Sequence, residues 1–227
     1  MNKKNNLISV FFLLAPGFLF LISFTHIPAV KTLMNSFFST GRGKRPSKFV
    51  GFDNYEVLWN DSTFWQVFSN NIIYACVVIP ISILLSLAMA LWVNSKIIGR
   101  PFLRFSYFLP TVLPLIAVGN IWLFFYAPGF GLIDQVASAL GFASLNILGS
   151  QETALWGVMA VGIWKEAGFY MIFYLAGLQA IPPDLKEAAM IEGANKWYIF
   201  WRITFPLLTP TTLFVSVNAV INSFRQI

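Results

Sequence analysis

Lys165 and Glu166 stand side by side in an otherwise uncharged run from Thr153 to Leu178. An ionisable side chain at mid-membrane costs about 2.5–3.5 kcal/mol on insertion scales, which makes it a functional candidate by default. Sequence neighbours point different ways on a helix, so these two do not simply pair there. One reading places Lys165 on a solute path. The others have either residue neutralising a polar group on another span, or the helix starting deeper. Asn120, Trp122 and Tyr126 form a second candidate group, because aromatic faces stack on sugar rings and amides bond hydroxyls. Asn218 and Asn222 form a third, spaced i, i+4 and so sharing a helix face. For each of these, interhelical hydrogen bonding is the plainer alternative. An embedded enzyme needs clustered His, Asp or Glu. One His (His26) and one Cys (Cys76) supply neither a zinc set nor a disulfide. Cys76 reads as a small core residue, and His26, Trp59 and Trp65 as interface residues. A passive channel needs a ring of like charges or a carbonyl filter, and neither is legible.

The elements that position these groups are apolar helices. The 227 residues are 57% hydrophobic and 11% charged, with 24 Phe. A typical globular domain is about 25% charged. That contrast excludes a soluble enzyme, a nucleic-acid-binding domain and a disordered chain. Five runs reach the length of about 20 residues that a spanning helix needs. They are Leu7–Ile27, Asn71–Val93, Phe105–Tyr126, Thr153–Leu178, and a run opening near Pro206 that continues to Ile227. The first reads as a retained span: its apolar stretch exceeds the ~7–15 residues of a signal peptide, and no small-x-small site follows. None of the runs alternates as a barrel strand does. The expected fold is all-α and polytopic, with residues 1–66 as an N-terminal span and external loop and 67–227 as the core. Between Pro128 and Glu152, the spacing of Leu132-Ile133, Val136-Ala137 and Leu140 predicts a short amphipathic helix at the interface.

Orientation follows from Lys and Arg in the loops. With the N-terminus inside, the inner segments carry Lys3, Lys4, Lys96, Arg100, Arg104, Lys186, Lys196 and Arg202. The outer segments carry Lys31, Arg42, Lys44, Arg45 and Lys48, and none between Pro128 and Glu152. The net charge of +6 is then topology signalling rather than a nucleic-acid footprint.

The inner loop after the fourth run has the most specific pattern. Pro182 and Pro183 stop the preceding helix, Asp184 is expected as an N-cap, and Leu185–Glu192 is a run of helix formers ending at Gly193. Trp197–Ile203 is a second short helix, and Pro206 is expected in the first turn of the fifth span. Glu187 and Glu192, with the small Ala188-Ala189 pair, favour docking into a partner groove that carries Arg.

Glu187-Ala188-Ala189, three residues, Gly193, nine residues, Ile203, one residue, Phe205-Pro206 resembles the EAA motif of the membrane-spanning permease subunits of binding-protein-dependent ABC importers. The family usually has Leu where this chain has Phe205. Phe49-Val-Gly-Phe-Asp-Asn-Tyr55, Leu109-Pro110 and Leu175-Ala-Gly-Leu-Gln-Ala-Ile-Pro182 are similar to the sugar and glycerol-phosphate branch. The resemblance implies the type-1 permease fold with six spans, so the sequence is expected to be truncated within the fifth. It implies a bacterial inner-membrane protein that is not an enzyme and holds no cofactor, ATP being bound by a partner. The sequence itself lacks a Gly-x-x-x-x-Gly-Lys-Ser/Thr loop. The implied partners are two ATP-binding subunits, a second permease subunit expected to be a different chain, an extracytoplasmic solute-binding protein and membrane lipid, with no nucleic acid. The implied coupling residues are Glu187, Ala188, Ala189, Gly193, Ile203 and Pro206.

Overall fold

A computed structural model describes residues 3–39, 47–95, 98–144 and 146–225. Arg42, Lys44, Arg45, Lys96 and Ile227 lie outside the described residues. The chain divides into two compact units, Met1–Val67 and Phe68–Ile227. All regular structure among the described residues is helical, apart from one isolated bridge between Phe38 and Phe49.

In the first unit, α1 (Lys3–Leu21), a π-helical turn (Ile22–His26) and α2 (Ile27–Asn35) follow one another without a break. The helix therefore runs eight residues past the expected end at Ile27. Pro28 does not stop it, because Pro is tolerated in the first turn after the wider π turn. Its outward face is apolar, with Phe11, Phe12 and Leu13 exposed, as suits lipid rather than water. Beyond it, Asn54 Nδ2 donates to the carbonyls of Ser36 and Phe38, and Ser36 Oγ lies 2.6 Å from Tyr55 Oη. These bonds fix α3 (Asp53–Trp59) under the preceding turn.

The second unit is organised around α8 (Gln151–Ala180). Contacts along α8 give the direction of every neighbour. On α4 (Ser62–Asn94), Tyr74 meets Gly162, while Ala90 and Val93 share a core with Leu175 and Leu178, so α4 runs parallel to α8. The third apolar run is not one helix but two, α5 (Arg100–Val112) and α6 (Leu115–Phe125), bent by 101°. Pro114 causes the break: it forces Leu113 out of the helical region to ψ 134°. The pair still packs along one face of α8. Tyr107 meets Gly168, Thr111 Oγ1 donates to the Lys165 carbonyl at 3.1 Å, and Tyr126 Oη donates to the Gly157 carbonyl at 3.0 Å. Numbers rise on one partner as they fall on the other, so α5–α6 runs antiparallel to α8.

The last run differs from expectation as well. α10 (Lys196–Ile199), a π turn (Phe200–Thr204) and α11 (Phe205–Leu207) are continuous, and the bend of 62° falls at Leu208, before α12 (Thr209–Arg225). Pro206 thus sits at the end of the preceding helix and not at the opening of the span. Pro210 has no N–H for the Pro206 carbonyl and its ring crowds that oxygen, which places the bend between the two prolines. α12 is antiparallel to α8: Thr211 lies against Gly177, Tyr174 Oη donates to Thr212 Oγ1 at 3.2 Å, and Asn222 reaches Glu166. With each bent pair counted once, the described residues hold five segments long and apolar enough to cross a membrane. The short helix expected after Pro128 is α7 (Leu132–Ala139), entered by a turn in which Gly129 N–H donates to Asp134 Oδ2 at 2.7 Å. Cys76 is exposed on α4 and is not a core residue of this chain; Tyr74, Ala75 and Val78 are the buried ones beside it.

Candidate functional site

Three places gather the polar groups, and adjacent residues of α8 serve two of them. Lys165 lines a cavity of about 270 Å³ together with Tyr74, Gly119, Trp122, Tyr126 and Gly162. On the aromatic wall Trp122 is tilted on Tyr126 at 5.3 Å and is backed edge-to-face by Trp164 at 5.5 Å, ring centre to ring centre. The Trp122 indole N–H is buried with no hydrogen-bond partner. The cavity therefore offers aromatic faces from Trp122 and Tyr126 with Lys165 beside them, while the indole N–H itself is enclosed in the packing. Asn120 is exposed and outside this lining.

Glu166 points to the other side of α8, into a buried cluster with α4 and α12. Asn222 Nδ2 lies 3.5 Å from both Glu166 Oε2 and Tyr170 Oη. Tyr74, Ser82 and Ser223 complete the surround. Of the pair read on one face of the last run, Asn222 joins this cluster, while Asn218 donates to the Phe214 carbonyl of its own helix at 2.9 Å. Tyr74 and Tyr170 were not singled out in the sequence. A Tyr in an aromatic-rich span looks like any other packing residue until its partner on another helix is known.

The third place is the loop. α9 spans Pro183–Ile191. Asp184 is inside its first turn rather than at the N-cap, because Pro183 takes the first helical position, where its missing N–H costs nothing. The end is closed as expected. Gly193 has φ +85°, its N–H donates to Met190 O at 3.1 Å, and Ala194 N–H donates to Ala189 O at 2.9 Å. These are the paired bonds of a Schellman stop. Asn195 Oδ1 then caps α10 by accepting from Tyr198 N–H at 2.8 Å. Ala189 is buried against the body, while Glu187, Ala188 and Glu192 face outward. So do Leu185, Met190 and Ile191, the last with 88% of its surface exposed. Ile203 is half-buried and Pro206 exposed, both on the segment leading to α12.

Apolar spans grouped about α8, a break at Pro114 and a capped helix in the loop before the final span define the fold of a type-1 ABC importer permease. Residues 79–227 match the family model described as "Binding-protein-dependent transport system inner membrane component". The chain belongs to that family: it is a membrane-embedded transporter subunit, not an enzyme. It is 35% identical to the osmoprotective compounds uptake permease protein GgtC of Synechocystis sp., over 91% of this chain and 74% of that protein. It is 31% identical to the sulfoquinovosyl glycerol transport system permease protein SmoG of Agrobacterium fabrum, over 94% and 70%. In fold it is similar to a chain of the bacterial alginate ABC transporter solved with its alginate pentasaccharide-bound periplasmic protein. The TM-score is 0.79 at 24% identity, covering 96% of this chain and 72% of that one.

Proposed function

We propose that this chain is the permease subunit of an ATP-driven importer for a sugar or sugar-like solute, coupled through α9 to a separate ATP-binding subunit. The observation that carries the coupling is the outer face of α9. Ile191, 88% exposed, lies one turn after Glu187 on a short helix outside the spans, and an apolar side chain so placed needs a cover. Glu187 beside it, with Glu192 at the end of the helix, supplies anchors for Arg on the partner. The Schellman stop makes α9 a rigid stub, so closure of an ATPase pair is transmitted to the spans as rigid rocking.

The solute class is supported by the cavity, where Trp122, Tyr126 and Lys165 converge. It is supported also by the relatives, whose names cite osmoprotective compounds and sulfoquinovosyl glycerol. Asn120, Asn218 and Asn222 do not line that cavity; in this reading Asn222 serves the packing of α12. The N-terminus and the α9 loop face the cytoplasm, a second permease chain completes the path, and an external binding protein delivers the solute. ATP is bound by the partner and no cofactor by this chain.

The test is purification of the native protein from its membranes, with identification of what accompanies it and assay of ATP hydrolysis. An ATP-binding subunit in stoichiometric amount, with hydrolysis stimulated by a sugar-loaded binding protein, is the expected result. A chain that emerges alone, with no associated hydrolysis, would overturn the reading.

A further inference from the structure

At the loop end of the spans a cavity of about 260 Å³ lies between the last turns of α4 and α8 and the loop helices. Its lining includes Asn94, Leu178, Lys186, Met190, Lys196 and Phe200. Two of these are lysines, one on α9 and one opening α10. The acids of α9, Asp184, Glu187 and Glu192, are exposed and not part of the lining. The lower wall is apolar, from Leu91, Met190 and Phe200.

The neighbouring segment is built for the membrane boundary. Trp197, Tyr198 and Trp201 are exposed, with Trp197 and Trp201 edge-to-face at 5.6 Å and Trp201 tilted on Phe205 at 5.1 Å. Arg202 lies over the Tyr198 ring at 5.9 Å. Amphipathic aromatic rings with interleaved cations settle at headgroup depth. The 62° bend turns this segment away from the direction of α12.

The geometry points to a binding site for the headgroup of an anionic phospholipid. The phosphate is held by Lys186 and Lys196, the glycerol hydroxyls face Asn94, and the acyl chains leave along Leu91 and Phe200 past the Trp197–Trp201 face. Charge complementarity selects the occupant, since basic pockets between spans at a membrane surface take phosphate headgroups. The site rests on α4 and α8 being spans and shares α9 with the proposed ATPase-docking surface, so the test reads lipid retention and not coupling.

The experiment uses the full-length chain purified with its accompanying subunits, delipidated, and titrated with phosphatidylglycerol or phosphatidylcholine under native mass spectrometry. The wild type is expected to retain phosphatidylglycerol selectively. Lys186→Gln with Lys196→Gln is expected to weaken that retention about tenfold, in line with roughly one factor of a few per surface cation. Lys186→Arg with Lys196→Arg is expected to restore it. Thermal unfolding in phosphatidylcholine discs separates the alternative in which the lysines only complement the carboxyl ends of α4 and α8. A melting temperature lowered there, with phosphatidylglycerol retention unchanged, would overturn the site. Displacement of the lipid by millimolar inorganic phosphate would also overturn it, in favour of a free-anion site.

Discussion

The Gly168 backbone of α8 lies against the Tyr107 carbonyl oxygen of α5 so closely that a side chain at 168 would occupy the space of that oxygen. This contact, with Thr111 bonded to the Lys165 carbonyl one turn away, holds the broken third span against α8. Small residues permit such approach, and within lipid, packing of this kind stands in for the hydrophobic effect between helices. Gly168→Ala is therefore expected to lower stability by about 1–3 kcal/mol, the range for overpacking. Gly17→Ala, where nothing lies within 4 Å, is the control and leaves stability unchanged or slightly raised. Thermal unfolding of the two variants in detergent checks this; equal melting points would refute the close-packed assignment.

Asn222 ties α12 to Glu166 and Tyr170. Interhelical hydrogen bonds in membranes average about 0.6 kcal/mol and reach at most about 1.7. Asn222→Ala is expected to fall in that range, and Asn222→Ala combined with Glu166→Gln to cost less than the sum of the singles, since the two share a bond. A double-mutant cycle measures it, and strict additivity would dissociate the pair.

Trp122 lines the cavity beside Tyr126 and Lys165, and the proposed solute reading gives its ring the stacking face. Trp122→Ala is expected to raise the apparent KM for the transported sugar about tenfold or more while leaving binding-protein affinity unchanged. Lys165→Met keeps the apolar stem and removes the charge, so it separates packing from electrostatics. Transport of labelled solute into vesicles reads both, and wild-type kinetics in Trp122→Ala would move the path elsewhere.

Gly193 adopts φ +85°, a left-handed conformation that costs a residue with a Cβ about 1–2 kcal/mol and a β-branched residue more. Gly193→Val is expected to leave ATP hydrolysis in place and abolish its coupling to transport, whereas Gly193→Asn, which tolerates that conformation, keeps much of it. Normal coupled transport by Gly193→Val would sink the mechanical role of the stop.

Much of this was legible in the sequence. The loop helix and its glycine stop could be read because Pro183, Gly193 and the helix formers between them act locally. That Lys165 and Glu166 do not face the same way followed from helical geometry alone, whereas which surroundings each meets did not. What the sequence hid was set by partners far along the chain. The Pro114 break lies in an unbroken apolar run, and membrane helices carry prolines such as Pro80 without breaking. Only the ψ of Leu113 distinguishes the two. Likewise Asn218 and Asn222 share a helix face, but Glu166 stands opposite only one of them. Cys76 is exposed because the α4 face toward α8 is taken by Tyr74 and Val78, a choice no local pattern records.

The most direct test replaces Ile191, the most exposed apolar residue of α9, with a photo-crosslinking amino acid in the native membrane. The account predicts one dominant adduct, between this chain and an ATP-binding subunit, lost when Glu187 and Glu192 are both changed to Lys. Adducts to lipid alone, or no adduct with the complex otherwise intact, would contradict the claim that α9 is where ATP hydrolysis meets the spans.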